Sequence, residues 1–134
     1  NALAFDAEWQ NIYKKDKVKN GIFTMESGQA KNVEMMYGLE HMYLDDGNAT
    51  GFIKYYADRK YAFVALLPNE GIPVGDYIAS LTGGGLLSTL RDAQSVPVNT
   101  AIPKFKSRCS LEMKDMLIRM GMSATDAFDK YGIL

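Results

Sequence analysis

The chain predicts an α+β fold, and three observations point there. Runs of alternating hydrophobicity and short helical stripes are mixed along the sequence, without a regular strand–helix–strand alternation. Pairs of strand-like runs face each other across two turn sequences, Ser27-Gly28 and Ala57-Asp58-Arg59-Lys60. The chain has 134 residues, 47% of them hydrophobic and 23% charged, which suits one ordinary folded domain rather than a disordered segment.

The elements follow in order. Leu3, Phe5, Ala7 and Trp9 alternate with Ala4, Asp6 and Glu8, the period of a half-buried strand. Lys14, Lys15, Lys17 and Lys19 read as a solvated connection rather than an anion-binding surface, because Asp16 interrupts them and no aromatic is interleaved. Ile22 to Glu26 and Gln29 to Met36 form a hairpin around Ser27-Gly28, with Met35 and Met36 in or near the core. Asp45-Asp46-Gly47-Asn48 is a turn, too short and wrongly spaced for a calcium loop. Asn48-Ala49-Thr50 fits the N-glycosylation acceptor pattern, which is common by chance. Phe52 to Tyr56 and Tyr61 to Leu67 form a second hairpin. The second of these runs is almost wholly apolar, so it predicts a strand covered on both faces.

Val74 to Leu81 and Leu86 to Ala93 predict two short amphipathic helices, with Gly83-Gly84-Gly85 as the linker that breaks them apart. No phosphate-loop pattern accompanies those glycines. Val96, Val98, Thr100 and Ile102 share one parity, and Phe105 falls on the other after Pro103. Proline cannot donate to a ladder, so two short strands joined at a bend are predicted, able to serve different sheets. Ser110 can cap a helix from Leu111 to Met120, with Met113, Met116, Leu117 and Met120 on one face and Gly121 closing it. Ser123 to Asp126 start a last short turn of helix bearing Phe128.

Several function classes lose their support. Formal net charge is −1, so no global basic field favours nucleic acid. No apolar stretch approaches the roughly 18 residues that span a bilayer, and no leader-like N-terminal stretch is visible. One cysteine, Cys109, and one histidine, His41, leave no internal disulfide, no Cys/His zinc cluster and no other expected cofactor. A Cys109–His41 nucleophilic pair lacks an adjoining oxyanion-type glycine motif, so no enzyme is expected.

The ordered motifs resemble the serpin family over essentially the whole chain. Asn1, Ala2, Phe5 and Trp9 resemble the Asn-Ala-x-x-Phe strand that ends near a tryptophan. Val33, Met35 and Met36 resemble a Val-x-Met-Met strand, and Leu67-Pro68-Asn69-Glu70-Gly71 resembles the Leu-Pro-x-x-Gly exit from a buried sheet. Pro103-Lys104-Phe105 resembles the family's Pro-Lys-Phe passage between sheets. Leu117, Gly121, Met122, Ala127, Phe128, Gly132 and Ile133 resemble its Leu-x-x-x-Gly-Met…Ala-Phe…Gly-Ile pattern. Asp6-Ala7 departs from the Lys-Gly often found there, which suggests a divergent member.

The resemblance implies a partial serpin fold: residues 1–134 as the central segment of an incomplete domain, mostly antiparallel strands contributing to sheets A, B and C, with short helices. Residues of about 40 to 67 would supply three strands of sheet B. Phe5 and Trp9 would pack at the breach, where a cleaved loop enters sheet A, and Lys104 and Phe105 would lie on a strand beside that path. The implied function is that of a protease inhibitor acting by reactive-loop cleavage and insertion, with a serine or cysteine protease as partner. A carrier, chaperone or storage serpin is the alternative. The reactive loop would fall outside residues 1–134, so the segment alone is expected not to inhibit. A secreted or extracellular setting follows from the family alone. Open sheet edges should favour self-association, and light scattering is expected to show particles larger than a monomer. A clean, stable monomer would contradict this.

Overall fold

The computed structural model describes residues 5–106 and Arg119. Asp6–Lys104 forms one contact unit. Phe5, Phe105, Lys106 and Arg119 are the described residues of the other. The first unit holds two three-stranded antiparallel sheets and two helices.

The first sheet begins after a single 3-10 turn at Lys15–Lys17. Its strands are β1 (Val18–Thr24), β2 (Ala30–Glu40) and β6 (Val98–Pro103), in the order β1-β2-β6. The predicted hairpin forms around Ser27-Gly28, with Gly21 opposite Val33 and Val18 opposite Met36. Its first strand starts earlier than expected, at Val18, and its second runs on to Glu40. The extension gives β2 a second partner, because Met36 to Glu40 pair with Ile102 to Val98. Met35 is buried, as its pattern suggested, and Met36 is half-buried.

The second sheet comprises β3 (Tyr43–Asp45), β4 (Ala49–Tyr55) and β5 (Ala62–Pro68), in that order. Central β4 is the most buried strand. Ala49, Phe52 and Ile53 sit on it, and Leu44 of β3 is fully enclosed. The turn between β3 and β4 is fixed by Asp46, whose Oδ1 accepts the backbone N–H groups of Asn48 and Ala49 at 2.9 and 2.7 Å. The turn at 57–60 also forms as predicted, with Lys60 N–H donating to Asp58 Oδ1 at 3.0 Å. Among the described residues the predicted cover of both faces of the Tyr61–Leu67 run is incomplete: Tyr61 is 58% and Leu67 72% exposed, and the strand between them is mostly half-buried. A continuous apolar run says that cover suits the strand, and it cannot say whether the same chain supplies that cover.

Helices α1 (Val74–Ser80) and α2 (Gly83–Arg91) follow. The three glycines were expected to link them, but they form the first turn of α2. The break lies at Leu81 and Thr82, both extended, and Thr82 Oγ1 accepts the Gly85 N–H at 3.0 Å. First-turn N–H groups have no intrahelical partner, so a threonine cap offsets part of what glycine costs there.

Tyr77 anchors α1 to the second sheet: it is buried, and its hydroxyl donates to Asp46 Oδ2 at 2.6 Å. That bond holds the Asp46 carboxyl below its usual range. Burial first, then the bond to Asp46, push the Tyr77 phenol up to about 12. Tyr13 also rises to about 12, through burial and then the Glu40 charge. Both phenols therefore favour folding below the unfolded value of 10.0, and that contribution is lost as pH rises through about 12. Ultraviolet titration is expected to show Tyr13 and Tyr77 ionising late, near pH 12, and Tyr77→Phe should reduce that late step. An unchanged late step in that variant would contradict the Tyr77 assignment.

The strand predicted through Phe5 and Trp9 is largely absent from the described residues. Residues 5–8 have no regular structure, and Trp9 makes a single antiparallel bridge to Tyr56. A ladder needs a neighbour along its length, and alternation cannot supply one. The strand predicted after Pro103 is likewise not formed over 104–106. The described residues thus build two of the three expected sheets. The predicted helices from Leu111 onward lie outside the described residues, Arg119 excepted, which is helical.

Candidate functional site

The segment carrying Trp9 lies against the β4–β5 hairpin. Ala57 N–H donates to Glu8 O at 2.8 Å, and Gln10 N–H donates to Tyr55 O at 3.1 Å. Between those bonds the Trp9 ring stacks on Tyr56, with centroids 4.4 Å apart and planes 11° apart. It meets Phe63 edge-on at 5.9 Å. Offset stacking and edge contacts of this kind favour a fixed ring position beyond simple area burial. Tyr56 directly follows β4 and Phe63 is the second residue of β5, so the hairpin itself builds the platform for Trp9.

A buried charge lies beside this platform. Lys54 lies near the C-terminal end of β4 and is 2% exposed. Its Nζ donates to Glu40 Oε1 at 2.5 Å and to Asn11 O at 2.9 Å. The ring centroids of Tyr13 and Trp9 lie 4.5 and 5.5 Å from the same nitrogen. An ammonium has three donors and cannot leave water without partners. Here a carboxylate, a carbonyl and two aromatic faces take up the charge. Glu40, also buried, comes from the far end of β2 in the first sheet. The ion pair therefore bridges the two sheets.

Tyr13 completes the cluster by packing over Gly38. A Cβ at position 38 would lie 3.1 Å from Tyr13 Cε1 and 3.2 Å from Thr100 Oγ1, so glycine lets the ring approach. Among the described residues, Tyr13 Oη is the buried side-chain polar atom without a hydrogen-bond partner. The adjacent Thr100 hydroxyl donates to Gly38 O at 3.2 Å. An open cleft of about 350 Å³ runs past this cluster, with Lys14, Lys17 and Tyr37 on its walls.

The predicted site residues do not all meet here. Trp9 is at the cluster. Lys104 follows β6 at the edge of the first sheet: its N–H donates to Glu34 O at 2.8 Å, and its Nζ pairs with Glu34 Oε2 at 3.3 Å on an exposed surface. Glu34 and Glu40 lie six residues apart on β2, so about 20 Å of strand separates the two ion pairs. Phe5 and Phe105 belong to the other unit and are 53% and 60% exposed. Of the Cys109–His41 pair, His41 is exposed and Cys109 lies outside the described residues.

Sequence reasoning missed Lys54, Glu40 and Tyr13. A signal was present, because Lys54 is the one charged residue between Phe52 and Tyr56. A charge inside such a run needs a buried counter-charge. Which carboxylate serves depends on the packing of the sheets, which local pattern does not encode.

Two antiparallel sheets, joined by a buried ion pair and carrying a tryptophan platform at one hairpin, form a structural frame. Comparison with known proteins makes the class specific. The family model described as Serpin (serine protease inhibitor) matches residues 1–132, and the chain belongs to that family. Human serpin B4 is 29% identical over 127 residues, covering 91% of this chain and 33% of the relative. The leukocyte elastase inhibitor of Xenopus tropicalis is 25% identical, over 92% of this chain and 34% of the relative. The crystal structure of tengpin, a thermophilic serpin, in its native state superposes with a TM-score of 0.80 at 40% identity, over 88% of this chain and 30% of tengpin. Tengpin in its latent state gives 0.75 at 40% identity, over 89% and 32%. The chain thus spans about a third of the length of the relatives it matches.

Proposed function

We propose that this chain is part of the frame of a protease-trapping serpin, inhibiting rather than catalysing. A target protease cleaves an exposed loop and is held as an acyl-enzyme. The loop then inserts as a new strand of sheet A, and strain stored in the native fold drives the step. The observation that carries this reading is the likeness to tengpin, a serpin solved in both a native and a latent state, at 40% identity in each case. A fold that supports two states supplies the bistable element such a trap requires.

In this reading the Trp9 platform would lie where the loop enters, and β4 and β5 form the floor behind sheet A. Lys104 and Phe105 would border the insertion path. A carrier, chaperone or storage role is the competing reading. It would follow from bulky or charged residues in the hinge before the loop, which oppose insertion.

The experiment compares the 134-residue chain with a full-length serpin that contains it. Each is incubated with a panel of serine proteases and run on denaturing gels. The full-length protein is expected to form an SDS-resistant complex and the isolated chain none. A covalent complex with residues 1–134 alone would overturn the assignment of these residues to the frame. Absence of any complex with the full-length protein would favour the non-inhibitory reading.

A further inference from the structure

We infer that Lys54 is a lock that pins the Trp9 segment to both sheets at once. Three separate parts of the chain converge on its Nζ: the Asn11 carbonyl of the segment, Glu40 of β2 and the strand β4 that bears it. No other ion pair or side-chain hydrogen bond among those found in the described residues joins these three parts. The Trp9 and Tyr13 rings lie against the same ammonium, so moving the segment away would strip a buried cation of a carbonyl and two aromatic faces together. Uncovering such a group is costly unless water or another partner replaces what is lost. The segment is otherwise held by the Trp9 contacts with Tyr56 and Phe63 and by its backbone bonds to the hairpin. Its backbone contributes one donor, at Gln10, and one acceptor, at Glu8, to the hairpin. The buried charge therefore sets how readily the Trp9 platform opens.

The functional consequence rests on the serpin reading, in which the platform borders the point of loop entry. There Lys54 acts as a positioning residue that restrains sheet opening until a cleaved loop displaces the segment. The lock itself stands without that reading, and the two are tested separately.

Lys54→Met alone leaves the Glu40 carboxylate buried without its partner and can unfold the chain, so the main variant is Lys54→Met with Glu40→Leu. It removes both charges and keeps apolar volume at both positions. Hydrogen exchange is followed across residues 8–13 and across β3 and β4, with acrylamide quenching of Trp9, the single tryptophan, as a second readout. A lock predicts exchange over 8–13 faster by about tenfold and stronger quenching, with β3 and β4 unchanged. A merely structural role would accelerate both regions together, or neither, and either outcome overturns the lock. Lys54→Arg keeps the charge and should restore slow exchange at 8–13; failure to do so counts against a charge-based lock. In the full-length serpin, the same double variant is expected to convert faster to a loop-inserted form. Faster local exchange with an unchanged conversion rate would keep the lock and reject its role in insertion.

Discussion

Lys54→Met is expected to destabilise the folded chain by about 3–5 kcal/mol, among the largest effects of any single side-chain replacement here. The cost comes from the group left behind. Glu40 is 5% exposed, and its carboxylate would lose the ammonium 2.5 Å away without gaining water. Glu40→Leu should cost a similar amount, because it strands the ammonium instead. The double variant Lys54→Met, Glu40→Leu should recover most of the loss, since well-packed apolar groups often replace a buried ion pair at little net cost. Urea unfolding of the four proteins gives the coupling directly. Additive losses would show that the two side chains act independently and would contradict the pairing. The exposed Lys104–Glu34 pair is the internal control. Its side chains are 64% and 56% exposed, and its removal should cost about 1 kcal/mol or less.

Gly51→Ala is the second large effect. Gly51 lies opposite Leu66 in the β4–β5 ladder. A Cβ there would collide with the Ala65 carbonyl oxygen and sit 2.9 Å from Leu66 Cδ2 and 3.0 Å from the Ala65 carbonyl carbon. Two of those three atoms are backbone, so no rotamer change relieves the contact. The strands must part, and a loss of about 3 kcal/mol or more is expected, at the upper end of overpacking costs. The same substitution at Gly84 supplies the contrast. A Cβ there meets nothing within 4 Å, in the first turn of α2. Gly84→Ala should be neutral or stabilise by about 0.4–1 kcal/mol through the unfolded chain. Equal midpoints for the two alanine variants would contradict the close approach at Gly51.

These two sites mark the limit of what local sequence conveys. Turn chemistry located both hairpins, because Ser27-Gly28 and Ala57 to Lys60 separate runs of clear strand type. The parity break at Pro103 located the end of β6. The family was legible from the order and spacing of short motifs, each of them weak alone, and its model matches nearly the whole chain. The glycine triplet misled, because its breaking tendency is outweighed at a helix start by the Thr82 cap. Alternation at Phe5 to Trp9 indicated a strand where the described backbone makes only a bridge. The site was legible in part. Trp9 was singled out, but its stacking partner Tyr56 lies 47 positions away in sequence and the Lys54–Glu40 pair spans 14 positions. Such contacts arise from sheet packing and have no short-range signature beyond one charge among aromatics.

If the chain belongs to the frame of a trap, the full-length serpin stores strain that loop insertion releases. The most direct measurement is the thermal midpoint of that full-length protein before and after limited proteolysis of its exposed loop. Loop insertion predicts a cleaved form that melts at a clearly higher temperature than the uncut protein. A cleaved form that melts no higher than the uncut one would contradict the trap and leave this chain as the frame of a serpin that does not insert its loop.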